Sequence, residues 1–219
     1  MGSELPVIPQ GSFASKVRAL APEELSALCL ENLYIFYQEL RRWNSKLSLV
    51  GPAAQEEIFE RHFGESLQGL RLLRPSDRTL VDLGSGAGFP GLVLAIARPE
   101  LEVFLIEARE KKWAFLQSVV RRCGLSTKTL NVRVAAPQPA PASLPAQIDV
   151  VTCRAVAITH EFLSPFLGKT PPARFLLWQG RDAADPNVAG VQRLHKHREV
   201  ALSGQYRRIV EWIEVEDPK

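Results

Sequence analysis

The chain has 219 residues, of which 46% are apolar, and its formal net charge is only +3. One domain with a buried core is expected, and this charge permits nucleic-acid contact without requiring it. No run of about 18 apolar residues and no secretory pattern occurs, so we expect no membrane span and no export. Three widely separated cysteines, Cys29, Cys123 and Cys153, lack metal-ligand spacing. They predict reduced thiols in a cytoplasmic protein and no metal site.

Residues 1–77 are predicted to form an N-terminal helical extension. Residues 4–12 have the character of a disordered segment. Pro22, followed by Glu23 and Glu24, indicates a helix start, because proline fits the first turn and acids favour the positive end of the helix dipole. Apolar residues then recur at helical spacing. Three helices are predicted, over residues 22–43, 55–61 and 65–73.

From Thr79 onward, predicted strands alternate with helices. The strands are predicted over residues 79–83, 102–107, 128–134, 148–152, 175–178, 198–203 and 207–215. Helices are expected near 90–98, 109–123 and 162–167, and a proline-rich loop at 137–145. The alternation predicts an α/β fold with a doubly wound, mostly parallel, seven-stranded sheet that ends in an antiparallel hairpin. Residues 78–219 would form this domain, in one compact unit with the extension.

A glycine loop follows the first predicted strand. Glycines at 84, 86, 88 and 91 follow Asp82 and precede an apolar helix start. Gly86, Gly88 and Gly91 match the dinucleotide fingerprint G-x-G-x-x-G, which alone is a weak signal. However, Asp82 stands where a nicotinamide site usually has an apolar residue, and a carboxylate faces a cation better than a pyrophosphate.

A second acid, Glu107, ends the next apolar run, where a carboxylate can accept hydrogen bonds from both ribose hydroxyls. The pair Asp82 and Glu107 therefore favours S-adenosylmethionine, which carries an ammonium and a sulfonium but no phosphate. A nicotinamide site is the first alternative, and a glycine-rich turn that binds nothing is the second.

Five segments, in order, are more specific than the loop alone. They are Trp-Asn-Ser-Lys-Leu-Ser-Leu at 43–49, Arg-His-Phe-Gly-Glu-Ser at 61–66, the glycine loop at 82–91, Lys-Lys-x-x-Phe-Leu at 111–116 and Thr-Cys-Arg-Ala-Val-Ala at 152–157. Together they resemble the bacterial small-subunit ribosomal RNA methyltransferase G family, also called glucose-inhibited division protein B. The resemblance covers about residues 33–180.

The resemblance implies a Rossmann-like class I S-adenosylmethionine-dependent methyltransferase that methylates N7 of a guanine in 16S ribosomal RNA. It also implies that Gly84, Phe89 and Arg154 contact ligands, and that Ala135-Ala136 occupies the place that meets the adenine. With the loop and the two acids, the predicted cofactor-binding residues are Asp82, Gly84, Gly86, Gly88, Phe89, Glu107, Ala135, Ala136 and Arg154. The implied partner is the 30S subunit or its RNA, and we expect a cytoplasmic monomer.

Three residues depart from the family pattern. Ala136 stands where the family has an acid, Gln179 where it usually has lysine, and Glu65 where it has aspartate. Two alternatives therefore stay open: a methyltransferase of the same fold with another substrate, and a noncatalytic RNA-binding module with a vestigial site.

Methylation of guanine N7 requires no general base, because the N7 lone pair is nucleophilic and carries no hydrogen. The expected catalytic residue is Arg154, acting by positioning at guanine O6 or a phosphate. An ion pair between Arg154 and Asp82 or Glu107 is the alternative. His62 is expected to be a buried hydrogen-bonding residue, and Phe89 is a candidate platform for a flipped base.

Overall fold

A single seven-stranded sheet with helices on its faces forms the centre of the fold. The computed structural model describes residues 5–51, 57–134, 140–154, 159–168, 172–180, 194–202 and 207–214. The strands are β1 (Thr79–Leu83), β2 (Glu102–Ile106), β3 (Lys128–Leu130), β4 (Val150–Arg154), β5 (Arg174–Gln179), β6 (Leu194–Ala201) and β7 (Arg208–Glu214). The α-helices are α1 (Gln10–Leu20), α2 (Ala27–Leu47), α3 (Glu65–Leu67), α4 (Gly91–Ala97), α5 (Glu110–Arg122) and α6 (His160–Leu163).

The strand order β3-β2-β1-β4-β5-β7-β6 confirms the predicted sheet. β1 pairs in parallel with β2 on one side and with β4 on the other, so that Leu83 lies beside Ile106 and Cys153. β7 pairs antiparallel with both β5 and β6, as predicted for the closing hairpin. From β1 the chain forms β2 and β3 on one side of the sheet and then crosses to the other side of β1 to form β4. The strand order therefore reverses next to β1, and open α/β sheets bind ligands at such a switch point.

Apolar side chains cover both faces of the sheet. On one face, a cluster includes Leu80, Leu105, Val150 and Leu176, together with side chains of α1, α2, α4 and α5. On the other face, a second cluster includes Val81, Phe104, Val151 and Phe175, with Phe166 from the 3₁₀ turn after α6. Successive residues of each central strand alternate between the two clusters, as expected for a parallel sheet that is covered on both sides.

The N-terminal helices belong to the first of these clusters. The Phe13 ring of α1 contacts the rings of Tyr34, Tyr37, Phe59 and Phe63 at centroid distances of 5.2–5.5 Å. Phe36 and Phe63 in turn contact Phe89 of the glycine loop at 5.0 and 5.2 Å. The extension thus shares its core with the sheet, while the division at residue 77/78 stays a prediction.

The predicted disorder over residues 4–12 is wrong for the part that the structure describes. Helix α1 begins at Gln10, and Leu5 is buried. Tyr37 Oη donates a hydrogen bond of 2.8 Å to the Pro6 carbonyl, and Arg41 Nε donates one of 3.0 Å to the Leu5 carbonyl. Long-range tertiary contacts hold this segment, and local composition does not reveal them.

The helix expected over residues 22–43 begins later and ends later, at Ala27 and Leu47. Ser26 is the reason for its start, because the Ser26 hydroxyl accepts a hydrogen bond of 3.1 Å from the Cys29 amide and caps the helix. Residues 58–72 form one continuous helical segment, made of a π turn (Ile58–Gly64), α3 and a 3₁₀ turn (Gln68–Leu72). Two separate helices were predicted there, and residues 52–56 lie outside the described part.

The remaining differences concern the lengths of elements. β3 ends at Leu130, four residues before its predicted end, and β6 begins at Leu194 rather than at residue 198. The predicted helix over 162–167 consists of the short α6 and a 3₁₀ turn (Ser164–Phe166). Residues 140–145 form neither helix nor strand, and 137–139 are not described. None of the helices in the described ranges is long and apolar enough to span a membrane.

Candidate active site

The glycine loop connects the tip of β1 to α4 and turns sharply at the switch point. Gly84, Gly86 and Gly88 all have positive φ angles, of 69°, 54° and 88°. At Gly86 an added Cβ would meet little except the Gly84 carbonyl oxygen at 3.6 Å, so this backbone is open toward the cleft. The loop is tied to β2, since the Ser85 amide donates a hydrogen bond of 2.9 Å to the Ile106 carbonyl.

Asp82 lies beneath the loop and is only 1% exposed. Its Oδ1 accepts a hydrogen bond of 2.7 Å from the Thr152 hydroxyl of β4. A Cβ at Gly91 would stand 2.5 Å from Asp82 Oδ2, so glycine at 91 lets α4 start directly over this carboxyl group. Burial raises the pKa of Asp82 to about 6, against the lowering effect of its hydrogen bonds, and the Glu107 charge adds to the rise.

Glu107 lies at the tip of β2 and faces the cleft. Its Oε2 accepts a hydrogen bond of 2.9 Å from the Gly86 amide, and its Oε1 accepts one of 2.8 Å from the Arg109 amide. A carboxylate has about four lone-pair sites, so each oxygen can accept one more hydrogen bond. The same side chain therefore fixes the loop and offers acceptors to a ligand, as the sequence predicted for ribose hydroxyls.

The cleft in front of the loop has a volume of about 450 Å³. This volume is within the range of small-molecule sites. Its described lining consists of Leu49, His62, Gly84, Ser85, Gly86, Ala87, Phe89, Glu107, Ala108, Arg109, Lys112, Arg133 and Arg154. The open backbone at Gly86 and the Glu107 carboxylate fit S-adenosylmethionine, because they offer room for a nucleoside and acceptors for its ribose hydroxyls.

Arg154 ends β4 and pairs with an acid that the sequence did not indicate. Its Nη2 donates to Glu65 Oε2 at 2.9 Å and also to the Arg61 carbonyl. The alternative that Arg154 pairs with Asp82 or Glu107 is therefore wrong, because α3 brings Glu65 closer. Burial lowers the pKa of Arg154 to about 10, although Glu65 opposes the change. At neutral pH the guanidinium remains charged.

His62 is half-buried, and its ring lies 4.8 Å from the Phe89 ring. Its two ring nitrogens are buried and have no hydrogen-bond partner among the described residues, contrary to the expected hydrogen-bonding role. Burial, followed by the charges of Arg154, Arg61 and Arg207, lowers the pKa of His62 to about 3. The imidazole is therefore neutral at physiological pH.

The structure brings most of the predicted site residues together. Gly84, Gly86, Phe89, Glu107 and Arg154 line the cleft. Asp82 and Gly88 support the loop and do not belong to the described lining, and Ala135 and Ala136 lie outside the described residues. The prediction of site residues missed Ser85 of the loop, Lys112 of α5 and Arg133 after β3, which only the folded arrangement of these elements brings to the cleft. No group of three metal-binding side chains occurs within the described ranges.

The sheet order and the cleft at its switch point define a Rossmann-like α/β fold with a ligand site at the carboxyl ends of the strands. Solved structures agree on the fold. A S-adenosylmethionine-dependent methyltransferase from Aquifex aeolicus superposes with a TM-score of 0.53 at 18% identity, over 77% of this chain and 96% of its own. TrmK from M. capricolum, solved with S-adenosyl-homocysteine, has a TM-score of 0.51 at 12% identity, over 68% of this chain and 67% of its own.

Sequence comparison identifies the family. The family model for rRNA small subunit methyltransferase G matches residues 29–205. A ribosomal RNA small subunit methyltransferase G from Rhodopseudomonas palustris is 35% identical, over 95% of this chain and 90% of its own length. Another from Rhodospirillum centenum is 41% identical, over 71% and 69%. The chain belongs to this family. The predicted family, fold class, S-adenosylmethionine donor and methyltransferase class are confirmed.

Gly86→Ala should weaken the binding of S-adenosylmethionine at least about tenfold, because the new methyl group projects where a ligand approaches the backbone. A left-handed backbone also costs alanine about 1–2 kcal/mol of stability. Gly124→Ala is the matched control, since Gly124 has a φ of 62° and nothing within 4 Å of an added Cβ. Calorimetry should detect weaker binding in Gly86→Ala alone, while both variants lose similar stability. Equal affinities of the two variants for S-adenosylmethionine would contradict the prediction that the donor approaches the backbone at Gly86.

In His62→Gln, the free energy of unfolding should fall less on acidification than it does in the wild type. The native pKa of about 3 lies below that of an unfolded histidine, near 6.5. Between these values the unfolded chain binds a proton that the native chain does not, so native stability falls as the pH falls. The wild-type free energy of unfolding should lose up to about 1.4 kcal/mol per pH unit relative to His62→Gln.

Urea titrations from pH 7 to pH 4 measure this difference. His195→Gln, which changes an exposed histidine of β6, is the control. Its free energy of unfolding should depend on pH as that of the wild type does. If the free energies of unfolding of the wild type and of His62→Gln change equally with pH, the surroundings of the His62 imidazole do not keep it neutral.

Proposed function

We propose that the protein transfers a methyl group from S-adenosylmethionine to N7 of a guanine in 16S ribosomal RNA. The observation that carries the proposal is the Glu107 carboxylate held against the glycine loop, in a chain of the rRNA small subunit methyltransferase G family. A cytoplasmic protein that acts on the 30S subunit or its RNA, as a monomer, fits this activity.

Within the proposed donor site, the backbone of Gly84 and Gly86 forms the floor. Glu107 accepts hydrogen bonds from the ribose hydroxyls, and Phe89 forms an apolar wall. Asp82 and Gly88 act through the loop, because one lies under it and the other shapes its turn. Ala135 and Ala136 are proposed to meet the adenine. When bound, the donor supplies an electrophilic methyl group on a sulfonium sulfur.

The chemistry that we propose consists of positioning. Guanine N7 presents a lone pair without a hydrogen, so no residue has to remove a proton before attack. His62 and Arg154 agree with this, because a pKa of about 3 makes the His62 imidazole a very weak proton acceptor and Arg154 is already protonated at neutral pH. Alignment of the two reacting groups and exclusion of water can contribute roughly 7–11 kcal/mol.

Nucleoside mass analysis of ribosomal RNA tests the proposal. RNA from a strain that lacks this protein should lose one 7-methylguanine from the small subunit, and the purified protein with labelled donor should restore it. Bare RNA and intact 30S subunits, offered separately, identify the form of the substrate. Retention of the full 7-methylguanine content in the deletion strain would contradict the activity, and label found only in protein would indicate a different substrate.

A further inference from the structure

A second cavity, of about 250 Å³, adjoins the donor cleft. His62 and Arg154 line both spaces. The other described walls of the second cavity are Arg61, Glu65, Trp178, Gln179, Gly180, Leu202 and Arg207. Its volume is below the roughly 300–1,000 Å³ of clefts that take whole small-molecule ligands, so it suits a single planar ring system.

The walls of this cavity are held rigidly. Glu65 is 2% exposed and forms ion pairs with Arg154 through Oε2 and with Arg207 through Oε1, each at an N···O distance of 2.9 Å. Trp178 Nε1 donates a hydrogen bond of 2.9 Å to the Glu65 carbonyl. Gly69 lies against the Trp178 ring, since an added Cβ would stand 2.9 Å from Trp178 Cζ2. An aromatic wall and two guanidinium groups are thus fixed before any ligand arrives.

Gln179 at the end of β5 is the unusual residue of this cavity. It is only 3% exposed, and among the described residues neither its amide nitrogen nor its amide oxygen has a hydrogen-bond partner. Arg154 Nη1 likewise has no partner within those ranges. Buried polar groups are nearly always hydrogen-bonded in native proteins, so these atoms indicate a polar ligand.

We propose that this cavity receives the target guanine, extruded from the RNA, and that the Gln179 amide recognises its Watson–Crick edge. This inference rests on the proposed function. Enzymes that modify a base take it out of the stack and read that edge by hydrogen bonds. The Gln179 amide offers one donor group and one acceptor, which match guanine O6 and N1–H.

The position of the cavity fixes the orientation of the base. The N7 edge faces the donor cleft at the boundary between the two spaces, which His62 and Arg154 line. Gln179 Oε1 accepts a hydrogen bond from N1–H, and Gln179 Nε2 and Arg154 Nη1 donate to O6. Adenine would present an amino group in place of O6 and a nitrogen without hydrogen at N1. Gln179 together with Arg154 therefore selects guanine.

Steady-state methylation by the full-length protein tests this assignment. Gln179→Leu should lower kcat/KM for small-subunit RNA about 10- to 100-fold, as for loss of a bidentate base contact. Its affinity for S-adenosylmethionine, measured by calorimetry, should stay that of the wild type. Gln179→Glu keeps the size and the acceptor for N1–H but replaces the donor to O6 by a second acceptor oxygen, so kcat/KM should also fall. Gln147→Leu, at an exposed glutamine, is the control.

A substituted RNA separates recognition from a structural effect. With 2-aminopurine in place of the methylated guanine, O6 and N1–H are absent while N7 remains. The wild type should prefer guanine at least about tenfold, and Gln179→Leu should lose most of this preference. Unchanged kcat/KM or an unchanged preference in Gln179→Leu would overturn the role of Gln179 while leaving the proposed function intact. If the wild type forms no 7-methylguanine, both proposals fall.

Discussion

Glu107→Gln should weaken the binding of S-adenosylmethionine about 100-fold, or about 2.7 kcal/mol. The carboxylate accepts hydrogen bonds from the amides of Gly86 and Arg109, at 2.9 and 2.8 Å. A glutamine has one acceptor oxygen, so one of these two amides would face an NH₂ group. The substitution also removes the charge-assisted hydrogen bonds that we propose to the ribose hydroxyls, each contributing about 1.5–3 kcal/mol.

Calorimetry with S-adenosylmethionine and S-adenosylhomocysteine measures this loss for both ligands. Glu102→Gln is the matched control, because Glu102 begins β2, is partly exposed and pairs only with Lys128 among the described residues. Surface pairs of this kind contribute about 0–1 kcal/mol, so the control should bind the donor as the wild type does. Wild-type affinity in Glu107→Gln would exclude Glu107 from the donor site.

The sheet could be predicted from the sequence because its signals are local. Short apolar runs, separated by helical periods, indicated the central strands β1, β2, β4 and β5, and two apolar-polar runs near the end indicated the antiparallel hairpin. The observed lengths of β3 and β6 differ from the predicted ones because an edge strand extends only as far as its neighbouring strand offers backbone hydrogen-bond partners. The apolar pattern of the edge strand itself carries no information about that limit. The start of α2 was missed because Ser26 caps it, four residues beyond the more obvious Pro22.

The site was predictable where backbone geometry determines the residue type. Glycines with positive φ and an acid at the tip of β2 identified the cleft. The burial of Asp82 was not predictable, because it depends on how closely α4 starts over β1 at Gly91. The pairing of Arg154 with Glu65 spans 89 residues of sequence and arises only when the helical segment 58–72 packs against β4.

Phe13→Ala should destabilise the protein by about 3–5 kcal/mol, the usual cost of deleting a buried phenylalanine. Phe13 is fully buried, and its ring contacts four other aromatic rings of the helical extension. One of those neighbours, Phe63, contacts Phe89 of the glycine loop directly, and it also contacts Phe36, which packs against Phe89. The loss should therefore lower the stability of the whole unit.

Urea unfolding, followed by tryptophan fluorescence and by circular dichroism, measures the effect. If the extension and the sheet fold as one unit, both signals should shift together to lower urea in a single transition. Val7→Ala is the control, because Val7 lies in the same segment but is 79% exposed and should change stability by no more than about 0.5 kcal/mol. A Phe13→Ala variant as stable as Val7→Ala would mean that α1 adds nothing to the common core.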